Sequence, residues 1–298
     1  MKGLAEYAMR GRVQALLIVM IGASTLMFSW ISAAVVALVI LRRGTGPGLW
    51  LLFWALLPAG ALLVVFGDSG PLATLLGTSI LAIVLRSTVS LPLALLASVV
   101  IAAVSGLAMV VFASEILDQM VVVFAEFLTN LEQQVASSDE GANEIVLSRP
   151  TAVQIAGILG LVNGVGSVLC LLLARWWQAA LYNPGGFGQE FRALQLTPAI
   201  TTVLVMPALA LAASGVDYRS WALMFAVPLT FAGLALVHAK AASRGQGNGW
   251  LTGFYLMWLV FDLMKLIVVL VAIADSWLHF RQRWAKKPGK RGSDEDLD

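Results

Sequence analysis

Long apolar runs with few or no charged residues recur from one end of this chain to the other. The first extends from Val13 to Leu41, and the others occupy about 48–66, 71–86, 89–113, 151–174, 197–214, 219–238 and 250–278. A helix needs about 20 apolar residues to cross a bilayer, and inside the bilayer a helix satisfies its own backbone groups. We therefore expect an all-α fold, a polytopic transmembrane bundle of about 8–10 membrane helices, some short or broken, with one amphipathic helix.

The composition excludes an ordinary soluble protein. Hydrophobic residues make up 59% of the 298 and charged residues 12%, whereas charged residues are about 25% of typical soluble domains. Because the apolar runs continue along the chain, we expect a single transmembrane domain over 1–280. The net charge of +2 is too small to indicate nucleic-acid binding, and the basic residues flank apolar runs. The lipid bilayer is the expected partner.

The charges around the first run indicate its topology. As one helix, Val13–Leu41 would be about 43 Å long, which exceeds the hydrocarbon core of about 30 Å. The run is either one tilted span or two short spans that turn near 29–32. If the N-terminus is cytoplasmic, the two-span alternative returns Arg42 and Arg43 to the cytoplasm, as the positive-inside rule prefers. We therefore expect a hairpin, in a multi-pass protein of the bacterial inner membrane.

Asp262 and Lys265 interrupt the final apolar stretch. An unbroken span there would place the basic end of the chain outside, so we expect a broken or re-entrant segment near Asp262. The alternative is that the first run is one span and several loops are reversed. Residues three apart share a helical face, so this pair can hold a ligand at membrane depth or simply lock helices together. Residues 281–298 predict a disordered charged tail.

Two polar segments lie between the spans. Residues 114–136 have polar and apolar faces at helical spacing, which predicts an amphipathic helix capped by Ser114. This helix belongs to an acidic extracytoplasmic insert at about 114–150. The second segment, at about 175–196, predicts a cytoplasmic loop, because it contains an Asn-Pro-Gly-Gly turn and has arginines near both ends.

The candidate binding residues of this loop are Arg175, Trp177, Asn183, Glu190 and Arg192. Arginine forms forked hydrogen bonds with carboxylate or phosphate, so the loop can dock an anionic ligand or an acidic partner helix. The alternative has equal weight: the arginines follow the topology, and the tryptophans anchor the chain at the membrane interface.

A glycine-rich span at 151–174 contains further candidates. Gly160 and Gly164 are four apart, a spacing that lets another helix approach closely, and Asn163 lies between them. Asn163 predicts either a hydrogen bond between helices, which is the more common role, or a ligand contact at membrane depth.

Catalytic and metal-binding groups are scarce in this sequence. It has one cysteine, Cys170, and two histidines, and no Ser/His/Asp, Cys/His or HExxH grouping. We therefore expect no enzymatic activity, no cofactor and no metal site. A lipid-modifying enzyme is the least favoured interpretation.

Four features occur together in this chain: a long first run ending in Leu41–Gly44, an acidic amphipathic insert, and the segments Phe191–Pro198 and Ala274–Arg283. This combination resembles the YybS-like bacterial membrane proteins, a domain of unknown function. That family is similar to the substrate-binding S components of energy-coupling-factor vitamin transporters. The resemblance implies a helical protein that binds a small molecule and docks on a shared subunit through small residues. The residues that would supply this face are Ala33, Ala34 and Ala37, or Ala102 and Gly106.

Two functions from different classes follow. The leading hypothesis is a transport-related protein that resembles an S component and acts with partner subunits on a small molecule. The rival is a non-transporting scaffold or assembly factor. It would bind other membrane proteins, or further copies of itself, through the 175–192 loop, the 114–136 helix and the charged tail.

Overall fold

The structure, a computed structural model, describes residues 1–138 and 147–285. Every regular element in these residues is a helix, which confirms the all-α prediction. Within the predicted transmembrane domain over 1–280, the helices group into two compact units. Among the described residues, unit 1 comprises Met1–Phe187 and Val203–Pro228, and unit 2 comprises Gly188–Thr202 and residues 229–285.

The helices follow one another with short connections. They are α1 (Lys2–Arg10), α2 (Arg12–Ala23), α3 (Ser29–Arg43), α4 (Thr45–Phe66), α5 (Gly70–Thr88), α6 (Leu91–Phe112), α7 (Ser114–Ser138), α8 (Ala152–Tyr182), α9 (Gly186–Ala193), α10 (Pro198–Ala213), α11 (Arg219–Ser243), α12 (Asn248–Val260), α13 (Asp262–Leu278) and α14 (Phe280–Ala285). A 3-10 turn, Val216–Tyr218, precedes α11.

Among the described residues, five helices are long and apolar enough to cross a membrane, and the number rises to seven if each of two bent pairs is one span. The five are α4, α5, α6, α8 and α11 with its preceding turn. The bent pairs are α9 with α10 and α12 with α13. The other predicted membrane helices are α2 and α3, and at 12 and 15 residues both are shorter than a full crossing.

The first apolar run is a hairpin, as the arginines that follow it predicted. The turn lies at 24–28, earlier than the expected 29–32, because Ser29 already begins α3. Side chains close the end of α2: the Ser24 hydroxyl donates to the Met20 carbonyl at 2.7 Å. Deeper in the hairpin, the Ser32 hydroxyl donates to the Val19 carbonyl at 2.9 Å and joins the two helices.

Helix α3 forms the centre of unit 1, in contact with α2, α4, α5 and α8. Its residues from Ser32 to Leu41 are all buried. The predicted docking face is therefore wrong as an external surface, because Ala33, Ala34 and Ala37 are covered by neighbouring helices of the same unit. Ala102 and Gly106 are also internal, since both lie where α6 packs against α8.

Unit 1 has two chemically different ends. At one end, which we call the arginine end, Arg86 Nη1 donates to the Leu41 carbonyl at 2.8 Å, and the Arg42 guanidinium lies 4.0 Å from the centre of the Tyr182 ring. Arg43 also lies there, at the end of α3. Asp68 precedes α5 and therefore lies at the opposite end from Arg86, which closes the same helix. This separation is the one that the topology prediction requires.

The amphipathic helix α7 extends from Ser114 to Ser138, close to the predicted 114–136. Ser114 is the first residue of the helix, so it does not occupy the N-cap position that the sequence predicted for it. The first turns pack through Leu117 onto a cluster that contains Met109 and Ile155. Of the predicted extracytoplasmic insert at about 114–150, residues 139–146 lie outside the described part.

The predicted loop at 175–196 is mostly helical. Helix α8 continues to Tyr182, and α9 begins at Gly186, so only a turn of three residues separates them. Gly185 allows this turn because its φ of 85° is a left-handed conformation. The predicted boundary of the charged tail at 281 lies inside α14, where the rings of Phe280 and Trp284 stack. Residues 286–298 lie outside the described residues.

Candidate functional site

A groove of about 450 Å³ opens on unit 1. It lies where the α2–α3 turn, the start of α5 and the middle of α8 meet. Its polar groups include the Asp68 carboxylate, the Thr74 hydroxyl and the Asn163 amide, and its apolar wall includes the Trp30 ring. We call this cavity the Asn163 groove.

Regular helix geometry presents the α8 side of the groove. Asn163, Gly166 and Cys170 are three and four residues apart, so they lie on one face of the helix. Gly166 lines the groove, and a side chain at this position would meet no atom within 4 Å. Such a side chain would extend into the groove, so the glycine keeps it open. On the facing side, Asp68 Oδ1 accepts a hydrogen bond of 2.8 Å from the Gly70 amide, which fixes the carboxylate at the start of α5.

Asn163 is buried and joins two helices. Its Nδ2 donates to Ser105 Oγ of α6 at 3.0 Å. Its Oδ1 accepts no hydrogen bond from the described residues and is therefore available to a donor in the groove. The glycines beside it bring α6 close: a methyl group at Gly160 would clash with the Ala102 carbonyl oxygen, and one at Gly164 would lie 2.7 Å from Ala102 Cβ.

Two further polar groups lie one helical turn away from the groove. Thr78 follows Thr74 by one turn of α5, and Ser167 follows Asn163 by one turn of α8. The Ser167 hydroxyl is buried and has no hydrogen-bond partner among the described residues, whereas the Thr78 hydroxyl lies beside the Cys170 thiol. A buried hydroxyl without a partner is unfavourable, so Ser167 keeps unused hydrogen-bonding capacity close to the groove.

The five candidates from the predicted loop belong to different units. Arg175, Trp177 and Asn183 lie in unit 1, and Glu190 and Arg192 lie on α9 in unit 2. Arg175 Nη1 donates to Gln178 Oε1 at 3.2 Å, and Asn183 is exposed in the turn after α8. Glu190 and Arg192 are both partly exposed.

The role predicted for Trp177 at the membrane interface is wrong. Only 1% of this residue is exposed, whereas Trp176 is 40% exposed. Because α8 continues past Arg175, Trp177 extends the buried stripe of Cys170 and Ala174. It is a core residue of unit 1.

Asp262 and Lys265 form an ion pair in unit 2, with a distance of 2.7 Å between Oδ1 and Nζ. The bend there, 111° between α12 and α13, confirms the predicted break near Asp262. Phe261 makes the break because its backbone is extended, with φ −107° and ψ 116°. The Asp262 side chain is 94% exposed and that of Lys265 43% exposed, so no cavity encloses the pair.

A second polar cluster in unit 2 has no counterpart among the predicted site residues. Asp275 is 3% exposed, and its Oδ1 accepts a hydrogen bond of 2.9 Å from the Phe280 amide. Arg281 Nη2 lies 3.9 Å from Asp275 Oδ2, and Gln195 Nε2 donates to the Asp275 carbonyl at 2.9 Å. Burial lowers the pKa of the Arg281 guanidinium, and the Asp275 charge opposes that shift.

This cluster joins the two segments that carried the family resemblance, Phe191–Pro198 and Ala274–Arg283. The sequence signal was an acidic residue inside an apolar helix, six positions before an arginine. These contacts are all within unit 2 and hold its two segments together, although Arg281 Nε and Nη2 are buried without a hydrogen bond to the described residues.

Within the described residues, no group of three or more His, Cys, Asp or Glu side chains is placed to hold a metal ion. No protein-family model, curated protein or solved structure matches this chain. The resemblance to YybS-like proteins therefore stays a prediction.

Proposed function

We propose that this protein is a transport-related membrane protein that binds a small molecule in the Asn163 groove and acts with partner subunits. The observation that carries the proposal is the groove itself: a volume of about 450 Å³ with a buried amide available in its wall. Small-molecule sites typically have about 300–1,000 Å³, apolar walls and a few fixed polar groups. The resemblance to S components supports the same function.

The lining indicates the chemical class of the ligand. Asn163 Oδ1 and the Asp68 carboxylate are acceptors, so they favour a ligand with N–H, O–H or ammonium donors. Trp30, Leu169 and Leu173 give the groove an apolar wall. The ligand would therefore be a small amphipathic molecule with a donor-rich end.

The test is extraction of the full-length protein into lipid nanodiscs, followed by mass spectrometry of small molecules that co-purify. We expect a stoichiometric metabolite with wild type and with Asn183→Ala, an exposed asparagine outside the groove. We expect Asn163→Ala to lose it. If no metabolite co-purifies, or if both variants retain it equally, the groove does not bind the ligand and the proposal fails.

A second candidate, a membrane scaffold, is favoured by the outer half of α7. Val123, Phe124 and Phe127 are exposed although they continue the apolar face that packs at Leu117. Such a face suits a helix of another membrane protein or of a second copy of this chain. A photo-crosslinker placed at Phe127 would capture one reproducible partner if this function is correct. Capture of random membrane proteins would contradict it.

A further inference from the structure

A second groove lies at the arginine end of unit 1, between the first turns of α2 and α4. Its volume is about 300 Å³. Ala15, Val39 and Leu51 are buried and form its base, while Arg12 and Arg43 are exposed beside it. We call it the Arg12 groove. It shares no lining residue with the Asn163 groove.

The two arginines give this groove an uncompensated positive charge. The Arg12 guanidinium makes no hydrogen bond or ion pair with the described residues, and no acidic side chain lines the groove. Arg43 Nη2 donates to the Met9 carbonyl, which holds the side chain in place without neutralising its charge. A fixed arginine beside an unpaired one is suited to a phosphate group.

The backbone adds to this charge. Helices α2 and α4 both begin at the groove, after Gly11 and Gly44, and neither has a side-chain cap for its first amides. Helix N-termini carry partial positive charge and bind anions. Gly46 lies in the first turn of α4, lines the groove and has no atom within 4 Å of the position of a side chain, so its backbone is accessible.

The surface beyond the groove is apolar. Trp50 lines the groove and is exposed, and its ring contacts that of Trp54 at a centroid distance of 6.3 Å. Val13 and Leu17 on α2 and Phe53 on α4 are also exposed. Tryptophan rings of this kind settle at the boundary between headgroups and acyl chains. A ligand with a phosphate and a long hydrocarbon chain can therefore use both parts of this surface.

We propose that the Arg12 groove binds one anionic phospholipid, with its phosphate between Arg12 and Arg43 and an acyl chain along the exposed faces of α2 and α4. Basic pockets between membrane helices bind anionic headgroups in this way. The apolar surface favours a lipid over free phosphate, since inorganic phosphate could use only the charged part.

The test uses full-length protein in detergent, stripped of lipid and analysed by native mass spectrometry. Phosphatidylglycerol and phosphatidylcholine with identical acyl chains are added in separate titrations. We expect a saturable one-to-one adduct with phosphatidylglycerol and at least fivefold weaker binding of phosphatidylcholine. Arg12→Gln should weaken the phosphatidylglycerol adduct about fivefold, the usual contribution of one basic residue near an anionic lipid surface. Because Arg12 has no partner among the described residues, this variant should fold normally.

Arg42→Gln is the matched control. It removes the same charge next to Arg43, but the Arg42 side chain lies over Tyr182 and does not line the Arg12 groove. We expect it to leave the adduct unchanged. Equal binding of the two lipids, an equal loss in both variants, or displacement of the lipid by inorganic phosphate at a similar concentration would each overturn the proposal.

Discussion

Asn163 Nδ2 donates a hydrogen bond of 3.0 Å to Ser105 Oγ, and this bond joins the candidate site to the close contact between α6 and α8. Asn163 therefore makes the hydrogen bond between helices that its position in the sequence predicted, and it also lines the groove that we propose as the ligand site. Its amide nitrogen holds two helices together, and its carbonyl oxygen lines the groove. A change that separates α6 from α8 should consequently affect ligand binding as well as stability.

Removal of the Ser105 hydroxyl separates these two roles. We expect Ser105→Ala to lower the free energy of unfolding by about 0.6 kcal/mol, the average for hydrogen bonds between membrane helices. Ligand binding should fall less than in Asn163→Ala, because Asn163 Oδ1 is retained. Unfolding by denaturing detergent measures the first effect. Ser87→Ala is the control, since the exposed Ser87 hydroxyl donates only to Val84 in its own helix. Equal stability of the two variants would contradict the assigned bond.

The glycines of α8 give a matched pair of substitutions. Gly160→Ala should destabilise unit 1 by about 1–3 kcal/mol, because the added methyl group meets the Ala102 carbonyl oxygen and Met224 Cε. Gly166→Ala meets nothing within 4 Å and gains up to about 1 kcal/mol of helix propensity. Gly166→Ala should nevertheless weaken ligand binding, because Gly166 lines the Asn163 groove. Equal unfolding curves for the two variants would show that α6 and α8 are farther apart than in this structure.

The length of the apolar runs and the charged residues beside them were sufficient to predict most of the helices. Runs of about 20 apolar residues can satisfy their backbone only as helices, so α4, α5 and α6 begin and end near their predicted bounds. The charge of Arg42 and Arg43 indicated the hairpin, and Asp262 indicated the break in the last stretch. These features depend on residues that are close together in the sequence.

The features that the sequence did not reveal depend on register or on distant residues. Trp177 looks interfacial by composition, yet the continued register of α8 directs it into the core. The Asn163 groove combines Trp30, Asp68 and Asn163, which are far apart along the chain. The Asp275 cluster depends on a reversal at His279, whose φ of 51° is rare for a residue other than glycine and has no signature in hydrophobic periodicity.

Asp275 should be the most sensitive acidic residue of unit 2. Asp275→Ala leaves the Phe280 amide without its acceptor and the Arg281 guanidinium without the carboxylate charge beside it, and removing one partner of a buried ion pair costs about 3–5 kcal/mol. Asp275→Asn should cost less, because the amide oxygen can still accept from Phe280. Asp262→Asn is the control: its side chain is 94% exposed, and exposed ion pairs contribute about 0–1 kcal/mol. Similar losses for Asp275→Ala and Asp262→Asn would place Asp275 on the surface.

The acidic insert should respond to pH through Glu132. The hydrogen bonds from Arg149 and from the Leu147 amide lower the pKa of Glu132 below its ordinary value of 4.5. Since the folded pKa is lowered, the stabilising contribution is fully present above pH 4.5 and is lost as the pH falls through the lowered pKa. The Leu147 amide donates to Glu132 Oε1 at 2.7 Å, so its hydrogen exchange reports this contact directly.

We expect the Leu147 amide to be protected from exchange at pH 6 and to lose that protection as the pH falls through the lowered pKa of Glu132, after correction for the intrinsic exchange rate. In Glu132→Ala it should be unprotected throughout this pH range. Glu126→Ala, on the same helix, should behave as wild type because Glu126 is exposed and has no partner among the described residues. High salt should reproduce part of the acid effect, since the pair is partly exposed and ions screen it. Protection in Glu132→Ala equal to that in wild type would mean that the Leu147 amide is held by a group other than the Glu132 carboxylate.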